Sequence, residues 1–201
     1  MHWHTLFLVL LWAFSGVESH NLTETEVLEY EFPKKMQESL PYYLCGYDGD
    51  KAPIWVRKFG SWDIRTYVAA GGESYEKMDI YYDQFLYRLR KSALDSEAKK
   101  FTIIDDLEGF GFRQSSHVPT IGFILSKFTK QEELVGKNMK KGWLLYSNFF
   151  FRSAWQIWKP LLPTLSQLVE VHGSKKETWE PQIRQSLPAD QFPKRYGGSQ
   201  D

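Results

Sequence analysis

The sequence predicts an α/β domain, a mostly parallel sheet covered by helices. Three observations carry this. Short apolar runs of strand length fall at residues 54–59, 101–104, 142–146 and 168–172. Segments with helical spacing of apolar residues lie between them. A chain of 201 residues with 42% hydrophobic and 16% aromatic side chains can bury one substantial core, so a single globular domain is expected.

The elements follow in order. "LTETEVLEYEFPKKMQESLPYYL" is acidic at first and broken by Pro33 and Pro41, which leaves room only for short helical turns. "CGYDGDKAPIWVRKFGSW" opens with a Gly/Asp turn and runs into the strand 54–59. In "YEKMDIYYDQFLYRLRKSAL", Met78, Tyr82, Phe85, Leu86, Leu89 and Ala93 share one helical face. The strand 101–104 leaves through Asp105, Asp106 and Glu108 into a glycine loop. A helix at 120–128 and a strand at 142–146 come next. "FFFRSAWQIWKPLLPTL" places Phe151, Trp155, Trp158 and Leu162 on one helical stripe, with a kink expected at Pro160. After the strand 168–172 the chain closes on "LPADQFPKRYGG". Pro188 and Pro193 stop helices there, and Gly197 and Gly198 tolerate positive φ, so an ordered turn is predicted.

Lys plus Arg is 25 and Asp plus Glu is 25, so no net field draws the chain to nucleic acid or to an anionic membrane. The apolar run at residues 6–14 is too short to span a bilayer as a helix but suits a secretory signal peptide, residues 1–19, cleaved after Ser19. An acidic segment, 20–31, follows it, and the globular domain is expected over 32–201. Asn21-Leu22-Thr23 fits the glycosylation acceptor pattern. Secretion is therefore the expected location, with a cytoplasmic, peripheral-membrane protein as the alternative. Cys45 is the only cysteine, which forbids an intramolecular disulfide and weighs against secretion.

No catalytic, metal or cofactor site is expected. Asp105, Asp106 and Glu108 stand at a strand end without a partner motif, and turn or cap hydrogen bonds account for them. His117 and His172 are isolated from any ligand set. Cys45 lacks the context of a nucleophile, and the glycine-bearing segments match neither a dinucleotide fingerprint nor a phosphate-binding loop. The aromatic helix is more informative. Phe149 and Phe150 fall off its main stripe, so apolar groups occupy more than one side, as on a helix that meets lipid or a membrane surface. Arg152 and Lys159 suit the rim of such a contact.

Four segments together resemble the CRAL-TRIO lipid-binding family, in its phosphatidylinositol-transfer-like branch. They are Gly46, Asp48, Pro53 and Trp55; the strand ending in Asp106 before Gly109; Lys159, Pro160 and Leu161 running on to Gly173; and Leu187, Pro188, Pro193, Tyr196, Gly197 and Gly198. The resemblance implies a mixed or mostly parallel sheet flanked by helices that encloses an apolar cavity for one lipid, with a gate helix that contacts the membrane transiently. The residues it would place against that ligand are Trp55, Phe85, Ile103, Phe123, Leu145, Phe151, Trp155, Trp158 and Leu162. The implied role is binding, and transfer or presentation, of a small hydrophobic lipid by a protein that is not an enzyme. The alternative is a protein-interaction module with a vestigial cavity. Some features depart from the family. Its preceding helical domain is replaced here by the leader and the acidic segment. Val135, Gly136 and Lys137 stand where the branch has Tyr-Pro-Glu, and Gln167 stands where it has the lysine that completes its inositol-phosphate site. Loss of that lysine removes a phosphate partner, so neutral lipids are expected to outcompete phosphatidylinositol.

If residues 1–19 form a signal peptide, expression in a secretory cell yields protein in the medium that begins at His20 and carries glycan on Asn21. N-terminal sequencing and glycosidase shift read this directly. Cytosolic protein with Met1 intact refutes it.

Overall fold

The computed structural model describes residues 20–201; the expected leader and its cleavage site lie outside the described residues. Two short helices open the fold, α1 (Glu24–Glu29) and α2 (Lys34–Ser39). Thr23 caps α1 in a reciprocal box with Glu26, and Asn21 beside it is exposed. The sheet has five strands in the order β1 (Tyr42–Tyr47), β2 (Pro53–Arg57), β3 (Phe101–Asp106), β4 (Met139–Leu145) and β5 (Val169–Val171). β1 and β2 form an antiparallel hairpin, and every later pairing is parallel. Connecting these strands are α3 (Ile64–Ala70), α4 (Gly72–Asp95), α5 (Phe112–Ser115), α6 (Val118–Val135), α7 (Phe149–Trp158) and α8 (Leu165–Leu168), and α9 (Glu180–Ser186) follows the last strand. Among the described residues no helix is long and apolar enough to cross a membrane.

The mostly parallel sheet and its helical cover agree with the sequence. The strand β1 was not expected, because "YYLCGY" reads as an aromatic run beside a turn and not as an alternating strand. What makes it a strand is the turn after it. Asp48 Oδ1 accepts from the backbone N–H groups of Asp50 and Ala52, which folds the chain back into the hairpin. The strand expected at 142–146 ends one residue early, because Tyr146 takes φ 58° and turns the chain out of the sheet.

Side chains alternate across the sheet and sort into two cores. Trp55, Phe101, Ile103, Met139 and Leu144 face inward, against α4, α6 and α7. Ile54, Val56, Ile104, Trp143 and Leu145 form an outer core with Trp179, Ile183, Leu187, Phe192 and Tyr196. Leu145 therefore does not join the other expected ligand residues. It follows inward-facing Leu144, and the two-residue period puts it on the opposite face.

The closing segment covers that outer face. Gly197 takes φ 103°, a left-handed turn that residues with a Cβ avoid. A Cβ on Gly198 would lie 1.8 Å from the Phe192 carbonyl oxygen. Gln200 Nε2 donates to the Cys45 carbonyl at 3.0 Å, which ties the turn to the edge strand. Gly198→Ala is expected to cost about 2–3 kcal/mol, because only backbone can move to relieve the contact. A urea titration that finds less than about 0.5 kcal/mol would show the turn to be dispensable.

Candidate functional site

The inner face of the sheet carries a buried ion pair. Trp55 faces inward, so Arg57 two residues later does too, and the parallel register sets it opposite Asp105. The contact is bidentate: Arg57 Nε donates to Asp105 Oδ1 at 2.6 Å and Nη2 to Oδ2 at 2.7 Å. Nη1 donates to the Tyr82 hydroxyl at 2.6 Å. The guanidinium lies 4.8 Å from the Phe59 ring centre and 4.7 Å from that of Phe85, so aromatic faces take the place of water around the charge. Burial pushes the Tyr82 phenol up to about 12, partly offset by Arg57, so Tyr82 remains a neutral acceptor for it.

Beyond this pair, α6, α7 and α8 roof the sheet. Phe128 and Gln131 of α6, Trp155 of α7 and Leu165 of α8 enclose a recess over Ile103, Asp105, Met139, Gly142, Leu144 and Val169. It is small, with about 10 Å³ of free volume, room for about one water. Aromatic side chains pack above it. Trp155 stacks on Phe151, centroids 6.3 Å apart, and Trp158 packs on Phe128 at 5.8 Å.

Helix α7 is held at both ends by side chains. At its N-terminus Asn148 accepts from the Phe151 N–H at 3.1 Å and donates to the Phe110 carbonyl. Beyond its C-terminus, Glu132 of α6 accepts from the N–H groups of Thr164 and Leu165, each at 2.7 Å. Pro160 lies in a single 3-10 turn, Lys159–Leu161, where the kink was expected. The helix has two apolar faces. Phe151, Trp155 and Trp158 are buried, whereas Phe149 is 72% and Ile157 56% exposed. Exposed Phe112 extends the outer patch through Phe150, ring centroids 5.7 Å apart.

Of the residues expected to contact a ligand, Ile103 and Trp155 line the recess. Phe151, Trp158 and Leu162 pack in the inner core with them. Phe85 and Trp55 meet each other at 6.3 Å, and Phe123 packs on Tyr75 and Tyr82, all in the same core but outside the recess lining. The expected head-group positions Lys137 and Gln167 are both exposed. Asp106 works as a turn residue: one oxygen accepts from the Glu108 N–H at 2.9 Å, the other from Arg195 at 2.8 Å and the Tyr196 hydroxyl at 3.0 Å. Arg57 and Gln131 went unnoticed in the sequence. The alternation from Trp55 to Arg57 was the available signal for the first, and Gln131 carried none.

A second polar cluster lies between α4 and α6. Ligand atoms of His20, Asp79 and Asp83 come within 4.8 Å of one another, a spacing open to a metal ion. The position is already supplied with positive charge. Lys127 Nζ lies 2.6 Å from Asp79 and 2.7 Å from Asp83, and Lys130 Nζ lies 2.7 Å from Asp83. Although burial opposes it, these ammonium groups hold the Asp83 carboxyl below its ordinary range.

Arg57→Met leaves Asp105 unpaired in the core and is expected to lose about 3–5 kcal/mol. Adding Asp105→Leu should recover most of that loss, and equal instability of single and double variants would show that the pair does not carry the site. Cys45 Sγ donates to the Ile54 carbonyl at 3.2 Å, and burial pushes its thiol up to about 12. Since the thiolate is the reactive form, native protein at pH 8 should alkylate at least about 100-fold more slowly than unfolded protein. Native labelling should then rise steeply with pH, a profile that mass spectrometry can follow.

With this geometry in hand, comparison with known proteins identifies the framework. The CRAL/TRIO domain matches residues 37–198. A SEC14 cytosolic factor from Kluyveromyces lactis is 22% identical over 182 residues, covering 88% of this chain and 59% of that protein. The crystal structure of Sfh5 superposes with a TM-score of 0.55 at 10% identity, covering 88% of this chain and 62% of that one. The chain thus spans less than two thirds of the length of either relative. The hairpin-led parallel sheet, the roofing helices and the glycine-closed tail all lie within a match over most of the sequence, and the chain belongs to the CRAL/TRIO domain family.

Proposed function

We propose that the protein binds one hydrophobic lipid between α7 and the inner face of the sheet and exchanges it at a membrane surface. The observation that carries this reading is the two-faced apolar character of α7. A helix that only closed a core would not need Phe149, Phe150 and Ile157 on its outer side, because exposed apolar groups in one patch mark a contact surface. In this reading the outer face meets the bilayer, α7 lifts, and lipid takes the place of the aromatic side chains above the recess. Apolar burial at about 25 cal/mol per Å² then supplies most of the affinity, so shape matters more than charge.

The family match and the SEC14 relative support a lipid carrier. That relative is named a cytosolic factor, which favours the cytoplasmic, peripheral-membrane alternative over the secreted location expected from the leader. The role is non-enzymatic in this reading, since the carboxylates at the end of β3 are engaged in structural pairs. One observation favours the second reading, an interaction module with a vestigial cavity: the recess holds about 10 Å³, far less than a lipid needs. Solvent extraction of the purified protein with mass spectrometry separates the two. Stoichiometric lipid is the expected result, and protein that remains empty after incubation with cell lipids refutes the carrier.

The two faces of α7 should also separate by mutation. Phe149→Ser with Ile157→Ser is expected to slow lipid transfer between vesicles about tenfold or more while the melting temperature holds, because both side chains are exposed. Trp155→Ala and Trp158→Ala should each cost about 3–5 kcal/mol, since both are buried. Unchanged transfer in the outer-face variant would show the exposed patch to be unrelated to exchange.

A further inference from the structure

The recess contains a polar group that the fold itself does not use. Its lining is apolar apart from Asp105, Gln131 and Trp143, and the Trp143 side chain belongs to the outer core on the other face of the sheet. Both oxygens of Asp105 are taken by Arg57. Gln131 is 2% exposed, and its Oε1 has no hydrogen-bond partner among the described residues. An amide oxygen left unpaired in an apolar core destabilises the fold, and leucine at this position would remove that cost. Gln131 stands one helical turn beyond Phe128 on α6, so both side chains reach the recess beneath Trp155.

From this arrangement, and resting on the lipid-carrier reading, we infer that Gln131 receives the hydroxyl end of an uncharged lipid alcohol that enters beneath α7. The chemistry of the lining selects this class. The unused group is an acceptor, so the complementary ligand group is a donor. A hydroxyl supplies one with little desolvation, whereas an ether or ester supplies none. No lysine or arginine lines the recess among the described residues, and the Arg57 guanidinium is already paired with Asp105 and held by Tyr82. A phosphate brought there would be unpaired beside a carboxylate. The recess holds about one water, so the hydroxyl occupies it and the alkyl body displaces Trp155 as α7 lifts.

The test compares cetyl alcohol with cetyl methyl ether, each radiolabelled at trace level in phosphatidylcholine vesicles, and reads the fraction carried by the protein after the vesicles are pelleted. After correction for partitioning, wild type should carry the alcohol about tenfold better than the ether, the effect of one net hydrogen bond. Gln131→Leu should carry both at the wild-type ether level with a melting temperature no lower than wild type. Equal carriage of both probes by wild type overturns the inference and leaves the lipid carrier standing. So does an alcohol preference that survives in Gln131→Leu with a lowered melting temperature, which would mean that the amide holds only a structural water. Displacement of the alcohol by an equal amount of phosphatidylinositol also overturns it. If neither probe leaves the vesicles, the inference and the carrier reading fall together. The wild-type comparison decides even if the variant fails to fold.

Discussion

A parallel sheet buried on both faces constrains everything else in this protein. Strands β2, β3 and β4 are lined on both sides by apolar residues, and a two-residue period sends alternate side chains to opposite cores. Neither face can be left to water. The helices between the strands cover the inner face, and the chain after β5 must cover the outer one. This explains why the last segment is ordered. Trp179, Ile183, Leu187, Phe192 and Tyr196 all point into the outer core, and the glycines let the backbone fold tightly enough to deliver them. The tail is thus a structural half of the domain, and its turn chemistry follows from the sheet's requirement.

Charges inside the inner core obey the same logic of compensation. Arg57 and Asp105 meet because register and alternation place them on one face, and aromatic rings complete the environment around them. Replacing such a pair with apolar groups is often neutral for stability, so its presence argues for a role in positioning. Here it fixes β2 against β3 and anchors Tyr82 of α4 above them. It engages both Asp105 oxygens and three of the five guanidinium N–H groups of Arg57. Gln131 is the recess-lining side chain of the inner face left without a partner among the described residues, although a carboxylate forms part of the wall.

Much of the fold was legible from sequence. The long amphipathic helix, the strands at 101–104 and 142–146 and the ordered tail could be read because each has a strong local pattern: helical spacing, a continuous apolar run, or paired glycines between prolines. The hairpin strand β1 was illegible, since its pairing depends on an Asp48 turn and on the covering tail, neither of which leaves a periodic signal. Leu145 was misassigned for a related reason. A doubly buried strand is apolar at every position, so composition cannot say which residue faces which core, and a one-residue error reverses the answer. Arg57 and Asp105 are far apart in sequence and acquire meaning only through register. Of the site, the α7 stripe was visible, whereas its two anchors depend on single residues, Asn148 and Glu132, without any motif around them.

In the proposed lipid-carrier reading, those anchors bear on how the protein could exchange its ligand. The packed aromatic interior and a lipid-filled interior are alternative ways of burying the same apolar surface, so the ligand has to bind the open form by more than the closed form gains from its own packing. The outer face of α7 lowers that requirement if the open form is also the membrane-bound form, because Phe149 and Ile157 then lose their contact with water at the step where Trp155 and Trp158 lose their core contacts. Asn148 and Glu132 bracket α7 and tie its flanks to the Phe110 carbonyl and to α6. The helix between them keeps its own backbone hydrogen bonds and can move as one piece. If α7 lifts as proposed, the flanking residues would absorb the change in backbone angles, and the single 3-10 turn at Pro160 is already a break in the helix where such bending costs least.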